Sequence, residues 1–207
     1  MTRHNELVAR GRAIVQTARQ LYIDLDVESD GPAGIGSLLS VGAVSPFEGD
    51  EDFYAELRPT DKPGLPHSRK FCEKHGLERA RLLQEGEDPR EVMLRLRRWV
   101  NQLTINHGKS GAVLVAYPSW FDFGLINTTM LEHGLPNPFG LNGHCVQSLA
   151  MALGIHSYNW EGLSRANLPP ELLPPWPFTH NALQDALYQQ AMHFAMVGLL
   201  KEQQSAR

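Results

Sequence analysis

Between Leu21 and Ser29 polar and apolar positions alternate, with Tyr22, Asp24, Asp26 and Glu28 on one side and Ile23, Leu25 and Val27 on the other. A period of two predicts a strand. Successive acids on its polar face are about 7 Å apart, given a rise of ~3.3 Å per residue. Carboxylates so spaced repel one another unless a cation sits among them or one keeps its proton. Two readings follow: an edge strand with a solvated acidic face, or a central strand carrying a divalent-metal site.

The rest of the pattern supplies a sheet for that strand. Gly31, Pro32, Gly34 and Gly36 break regular structure after it, and neither a Rossmann nor a Walker pattern is complete there, so the segment reads as a turn. Leu38 to Val44 and Phe53 to Leu57 are short apolar runs separated by acids, and they predict an antiparallel hairpin that extends the sheet. Arg58 to Pro66 is a loop with three prolines. Helical signals begin near Phe71, and Asp88-Pro89 opens a stronger helix with an acid at the cap and proline at its first position. Val92, Leu96, Trp99, Val100 and Leu103 form its apolar face, and Arg90, Arg95, Arg97 and Arg98 read as its solvated one.

Ala112 to Ala116 is a compact apolar run, the mark of a buried strand. Phe121 to His133 predicts a helix stopped by Gly134 and Pro136, and Val146 to Leu153 a short helix with a strand just before it. Ser164 to Phe178 carries five prolines and reads as a long irregular excursion near the cleft. The last helix runs from about Asn181 to Glu202, and residues 1–20 form a short helical lead-in. The order β-β-β-α-β-α-α predicts one α/β domain over residues 1–207, built on a mixed five-stranded sheet flanked by helices.

Composition narrows the function classes. With 207 residues the chain can bury one sizeable core but not two comfortable ones. A net charge of −4 excludes a strongly basic protein held to nucleic acid by charge alone, yet allows a nuclease whose acids bind metals. Cys72 and Cys145 have no C-x-x-C spacing, which argues against zinc and against a disulfide framework. The first twenty residues lack the apolar run of a signal peptide, and no segment approaches a membrane span. A cytoplasmic protein without membrane contact is expected.

Acids stand in unusual settings at two further places. Asp122 follows the buried strand and opens a helix, where it could also favour the positive helix end. Asp185 lies between Leu183 and Ala186 on an apolar helix, where a carboxylate is costly to bury without a partner. His180 precedes it by five residues, about 140° around a regular helix, so both reach one site only if His180 sits on the loop before the helix.

These residues carry a resemblance. Asp26-x-Glu28-x-x-Gly31, Phe121-Asp122 after a buried strand, and His180-x-Ala182-x-x-Asp185-Ala186 on the last helix resemble the three blocks of the DEDDh 3′→5′ exonucleases. That group includes RNase T, oligoribonuclease and the proofreading subunit of bacterial replicative polymerase. The resemblance implies an RNase H-like fold, two magnesium or manganese ions, Asp26, Glu28, Asp122 and Asp185 as ligands, and His180 as general base. Hard oxygen ligands suit those ions, and two such ions can stabilise both the attacking and the leaving oxygen.

The expected reaction is release of nucleoside 5′-monophosphates from the 3′ end of single-stranded RNA or DNA, with a rate that rises as pH climbs through the histidine range. Trp120 and Phe121 are candidate base-stacking residues, though both also suit a core under the sheet. Gly31 could bring backbone amides to the terminal sugar. RNase T and oligoribonuclease are dimers, and the resemblance extends that expectation to a homodimer here. Tyr117-Pro118 and Gln147 depart from the family pattern, and they bear on substrate more than on chemistry. The competing readings are a catalytically inactive nucleic-acid-binding module of the same fold and a small-molecule phosphohydrolase.

Overall fold

The structure is a computed structural model, and the description covers residues 2–141, 143–155 and 167–206. Its sheet has the strand order β3-β2-β1-β4-β5, with β1 at Leu21–Ser29, β2 at Leu38–Val44, β3 at Phe53–Glu56, β4 at Ala112–Ala116 and β5 at Gly143–Cys145. β1 runs antiparallel to β2 and parallel to β4, and β5 runs parallel to β4, so the sheet is mixed. The acidic strand is therefore central, and the solvated-edge reading fails.

Seven helices surround the sheet among the described residues: α1 (Arg3–Thr17), α2 (Pro66–Lys74), α3 (Arg79–Glu85), α4 (Pro89–Asn106), α5 (Ser119–Glu132), α6 (Val146–Ala152) and α7 (Ala182–Ser205). Ile23, Leu25 and Val27 join Val92, Leu96 and Val100 of α4 and Leu125, Ile126 and Met130 of α5 in one core. Across the sheet, Val115 and Tyr117 pack with Leu7 of α1, Val146 of α6 and Met192 and Met196 of α7. The three layers are helix, sheet, helix. Asp88 caps α4 by accepting from the Arg90 amide at 2.9 Å, as its position before Pro89 predicts. Arg95 pairs with Glu87 in the open, so α4 presents its arginines to solvent.

The helical lead-in expected within residues 1–20 is α1. α1 has 15 residues and lies along α7, where a Cβ on Gly11 would come within 1.8 Å of the Phe194 carbonyl oxygen. Its hydrophobic spacing hides this, because a helix seated through a glycine needs little apolar stripe. Leu168 and Leu172 are buried in the α1–α7 core, with a 3-10 turn at Pro170–Leu172. From residue 167 onward the proline-rich stretch is an irregular strap anchored in that core; its first three residues, 164–166, lie outside the described residues.

Gly42 of β2 sets how α7 meets the sheet. A Cβ there would stand 2.3 Å from the Ala182 carbonyl carbon and the Leu183 nitrogen, so helix backbone rests directly on strand backbone. Gly42 pairs with Asp26 across the β1–β2 ladder, which puts the first turn of α7 beside Asp26. Gly42→Ala is expected to cost about 1–3 kcal/mol through overpacking, read as a lower urea midpoint at unchanged slope. A midpoint equal to wild type would show that α7 is free to shift.

Candidate active site

β1 and β4 pair through Asp24↔Val115, and β1 then continues alone on that side. Backbone groups exposed by the opening must find partners. The Val27 amide donates to Asp122 Oδ1 at 3.0 Å, and Gln189 Nε2 of α7 donates to the Val115 carbonyl at 3.0 Å and to the Leu25 carbonyl at 3.4 Å. Asp122 in the first turn of α5 is thereby fixed against the residue between Asp26 and Glu28. Its place at the helix start serves the strand and not only the helix end. Asp26 and Asp122 are both buried.

Asp185 is fully buried on the first turn of α7. Such a carboxylate needs donors, and the loop just before the helix supplies them. The Thr179 amide and hydroxyl donate to Oδ1 at 2.8 and 3.2 Å, and the His180 amide donates to Oδ2 at 2.8 Å. His180 has φ of 59°, a left-handed conformation that histidine tolerates better than most side chains. Asn181 then caps α7 by accepting from the Gln184 amide. His180 therefore sits on the loop, as the 140° separation demands. Burial pushes the Asp185 carboxyl up from its ordinary value, against the opposing pull of the Thr179 and His180 hydrogen bonds and the His180 charge.

His180 Nδ1 lies 3.9 Å from Glu28 Oε1. Donor atoms of Glu28, His180 and Asp185 all fall within 4.8 Å of one another, the one such group of three among the described residues. Carboxylate oxygens predominate in the set, which fits a hard divalent cation, and no thiolate takes part to favour zinc.

Three aromatic rings hold the His180 imidazole. Phe71 and Phe178 meet it edge-on at 4.7 and 5.1 Å, and His75 lies tilted at 4.4 Å. Sequence reasoning missed Phe71 and His75. Their spacing of four puts them on one face of the α2 turn, but nothing in the chain announces that this face meets residue 180.

The remaining candidates separate. Trp120 is 66% exposed and stays available for stacking, whereas Phe121 is half-buried against the core. Gly31 is buried: a Cβ on Gly36 would meet its backbone at 2.4 Å, so the turn closes on itself. Asp24 has a different partner from the others. It is fully buried, with Oδ2 3.2 Å from His193 Nδ1.

This fold has relatives. No family model matches the chain. Among solved structures, the nuclease domain of 3′hExo, a DEDDh family member, superposes with a TM-score of 0.60 at 13% identity, covering 90% of this chain and 94% of that one. The RNase domain of the yeast Pop2 protein gives 0.60 at 15% identity, covering 96% and 84%. In sequence, the 3′-5′ DNA exonuclease Cap18 of Escherichia coli is 29% identical over 190 residues, which take in 91% of this chain and 97% of that protein. In fold the chain is like the nuclease domain of 3′hExo, a DEDDh family member, and in sequence it is similar to a 3′-5′ DNA exonuclease. Its fold is the RNase H-like fold of those nuclease domains. The three sequence blocks that carry the resemblance place Asp26 and Glu28 on β1, Asp122 on α5, and His180 and Asp185 around the start of α7.

The raised Asp185 carboxyl has a consequence for stability. An acid whose folded pKa stands above its unfolded one stabilises the fold in acid and loses that contribution as pH rises through the folded value. In chelator, the stability of wild type relative to Asp185→Asn should therefore move in wild type's favour as pH falls from about 7 to about 4. Paired urea titrations check this, and a constant difference would contradict it.

Proposed function

We propose that the protein is a divalent-metal-dependent 3′-5′ exonuclease that hydrolyses single-stranded nucleic acid and releases nucleoside 5′-monophosphates. The observation that carries this reading is the convergence of Glu28, His180 and Asp185, with Asp122 anchored to Val27 between Asp26 and Glu28. A concentration of acids opposes phosphate binding unless cations accompany it. A module that only bound nucleic acid would gain nothing from it. The Cap18 relative, named a 3′-5′ DNA exonuclease, supports the reaction and the direction.

Asp26, Glu28, Asp122 and Asp185 would hold two magnesium or manganese ions, which supply neutralisation of the phosphate and acidification of water when bound. The chain's own residues do the rest. His180, turned out of the helix and held between Phe71, His75 and Phe178, takes the proton from the attacking water. Glu28, 3.9 Å from its Nδ1, steadies the imidazolium that results. Asp185 holds the turn that aims the ring, so it acts on both the cations and the base. Trp120, exposed beside Asp122, offers a flat face for a base near the 3′ end.

The deciding assay follows 5′-labelled single-stranded RNA and DNA of matched sequence with magnesium, manganese or chelator. A ladder shortening from the 3′ end is expected only with metal. Asp26→Ala should abolish it, and His180→Asn should slow it by about 10²–10⁴-fold and flatten its rise with pH. Absence of cleavage by folded wild type under either metal would refute the reading. A small-molecule phosphohydrolase would instead release phosphate from monoesters under the same conditions.

Cation binding can be read without turnover. At a metal concentration about 100 times Kd, the fold should gain about 2.7 kcal/mol, measured as a shift in the urea midpoint. Glu28→Gln together with Asp185→Asn should remove most of that gain.

A further inference from the structure

On the far side of the α7 first turns lies a second cleft, of about 380 Å³, between α1, α7 and the strap residues Trp176 to Thr179. Arg12, Trp176, Thr179, Gln184 and Gln190 line it with Phe194 at its base. Its volume suits one small ligand and not a chain. No carboxylate lines it, so it is not a cation site.

The lining specifies a ligand. Trp176 is 43% exposed and meets the Tyr188 ring in a T-shaped contact, and its exposed indole surface suits a planar ring. Carboxamides of Gln184 and Gln190 offer both donors and acceptors. The Arg12 guanidinium lines the cleft and lies over the Phe194 ring at 5.6 Å. A planar fork held in place matches phosphate geometry. Arg12 already pairs with Glu48, whose side chain is 83% exposed. A singly charged ligand would merely replace one carboxylate by another, whereas a phosphate monoester with about −1.5 to −2 charges outcompetes it.

We propose that this cleft binds a free nucleoside monophosphate, base on Trp176 and phosphate on Arg12 in place of Glu48, and that its occupancy is felt at the active site. The route is Thr179, which lines the cleft and donates through both amide and hydroxyl to Asp185 Oδ1. The coupling rests on the exonuclease reading; the binding does not. The ligand is the chemical class that the proposed reaction releases, so the cleft would let accumulated product act back on the enzyme.

The test uses the full chain carrying Asp26→Ala in chelator, titrated with AMP, dAMP, adenosine and a short single-stranded oligonucleotide by equilibrium dialysis. One monophosphate per chain should bind saturably. Adenosine should bind at least about tenfold more weakly, as should AMP to the added Arg12→Gln or Trp176→Ala. Glu48→Gln, which removes the competing carboxylate, should tighten AMP binding several-fold, an effect that structural damage would not produce. No saturable binding at millimolar nucleotide would overturn the proposal, as would indifference to Arg12→Gln and Glu48→Gln. Tighter binding of the oligonucleotide than of AMP would assign the cleft to the strand's path and overturn the free-nucleotide assignment. None of these readings depends on turnover, so they fail or succeed apart from the exonuclease assay.

Discussion

A helix can approach a sheet this closely only where the strand offers no side chain, and Gly42 offers none. The start of α7 rests on the β2 backbone at that point, directly across the ladder from Asp26. Once α7 is seated there, Asp185 is committed to burial, and a buried carboxylate must find donors. It finds them in the amides of Thr179 and His180. The same helix carries Gln189 to the opening between β1 and β4 and His193 to Asp24. The close approach of the α7 start to β2, beside Asp26, depends on that one missing Cβ.

The acidic strand shows how charge and position combine. Its alternation predicts one polar face, and the sheet order makes that face an interior surface under α7. Three acids on one buried surface would be untenable if they were equivalent, and they are not. Asp24 is matched to His193, Asp26 lies beside the α7 start, and Glu28 reaches His180 near the strand's end. One strand thus carries a structural acid and two candidate cation ligands, distinguished by what lies opposite each.

Much of the fold was legible because its signals are local. The alternation of β1, the proline after Asp88 and the apolar run at Ala112 each identify an element from a few neighbouring residues. Asp26, Glu28, Asp122, His180 and Asp185 were legible as three spaced blocks, and the angle between His180 and Asp185 foretold the loop before α7. What escaped depends on residues distant in sequence. Nothing near Phe71 or His75 signals a partner more than a hundred positions away. The seating of α1 along α7 escaped because it relies on Gly11 against Phe194, an absence of side chain that hydrophobic spacing does not register. The strap was legible as irregular, but its prolines gave no sign that Leu168 and Leu172 anchor it in the core.

The order in which the site's parts are encoded has a consequence during synthesis. Asp26 and Glu28 emerge from the ribosome early, and their acidic surface stays uncovered for more than a hundred and fifty residues, until the segment of Ala182 to Ser205 can fold onto Gly42. A growing chain can hold its sheet in place and still lack the turn at His180. Whatever reaction these residues perform is thereby withheld from the incomplete protein, next to the messenger that encodes it, and begins only with the finished fold.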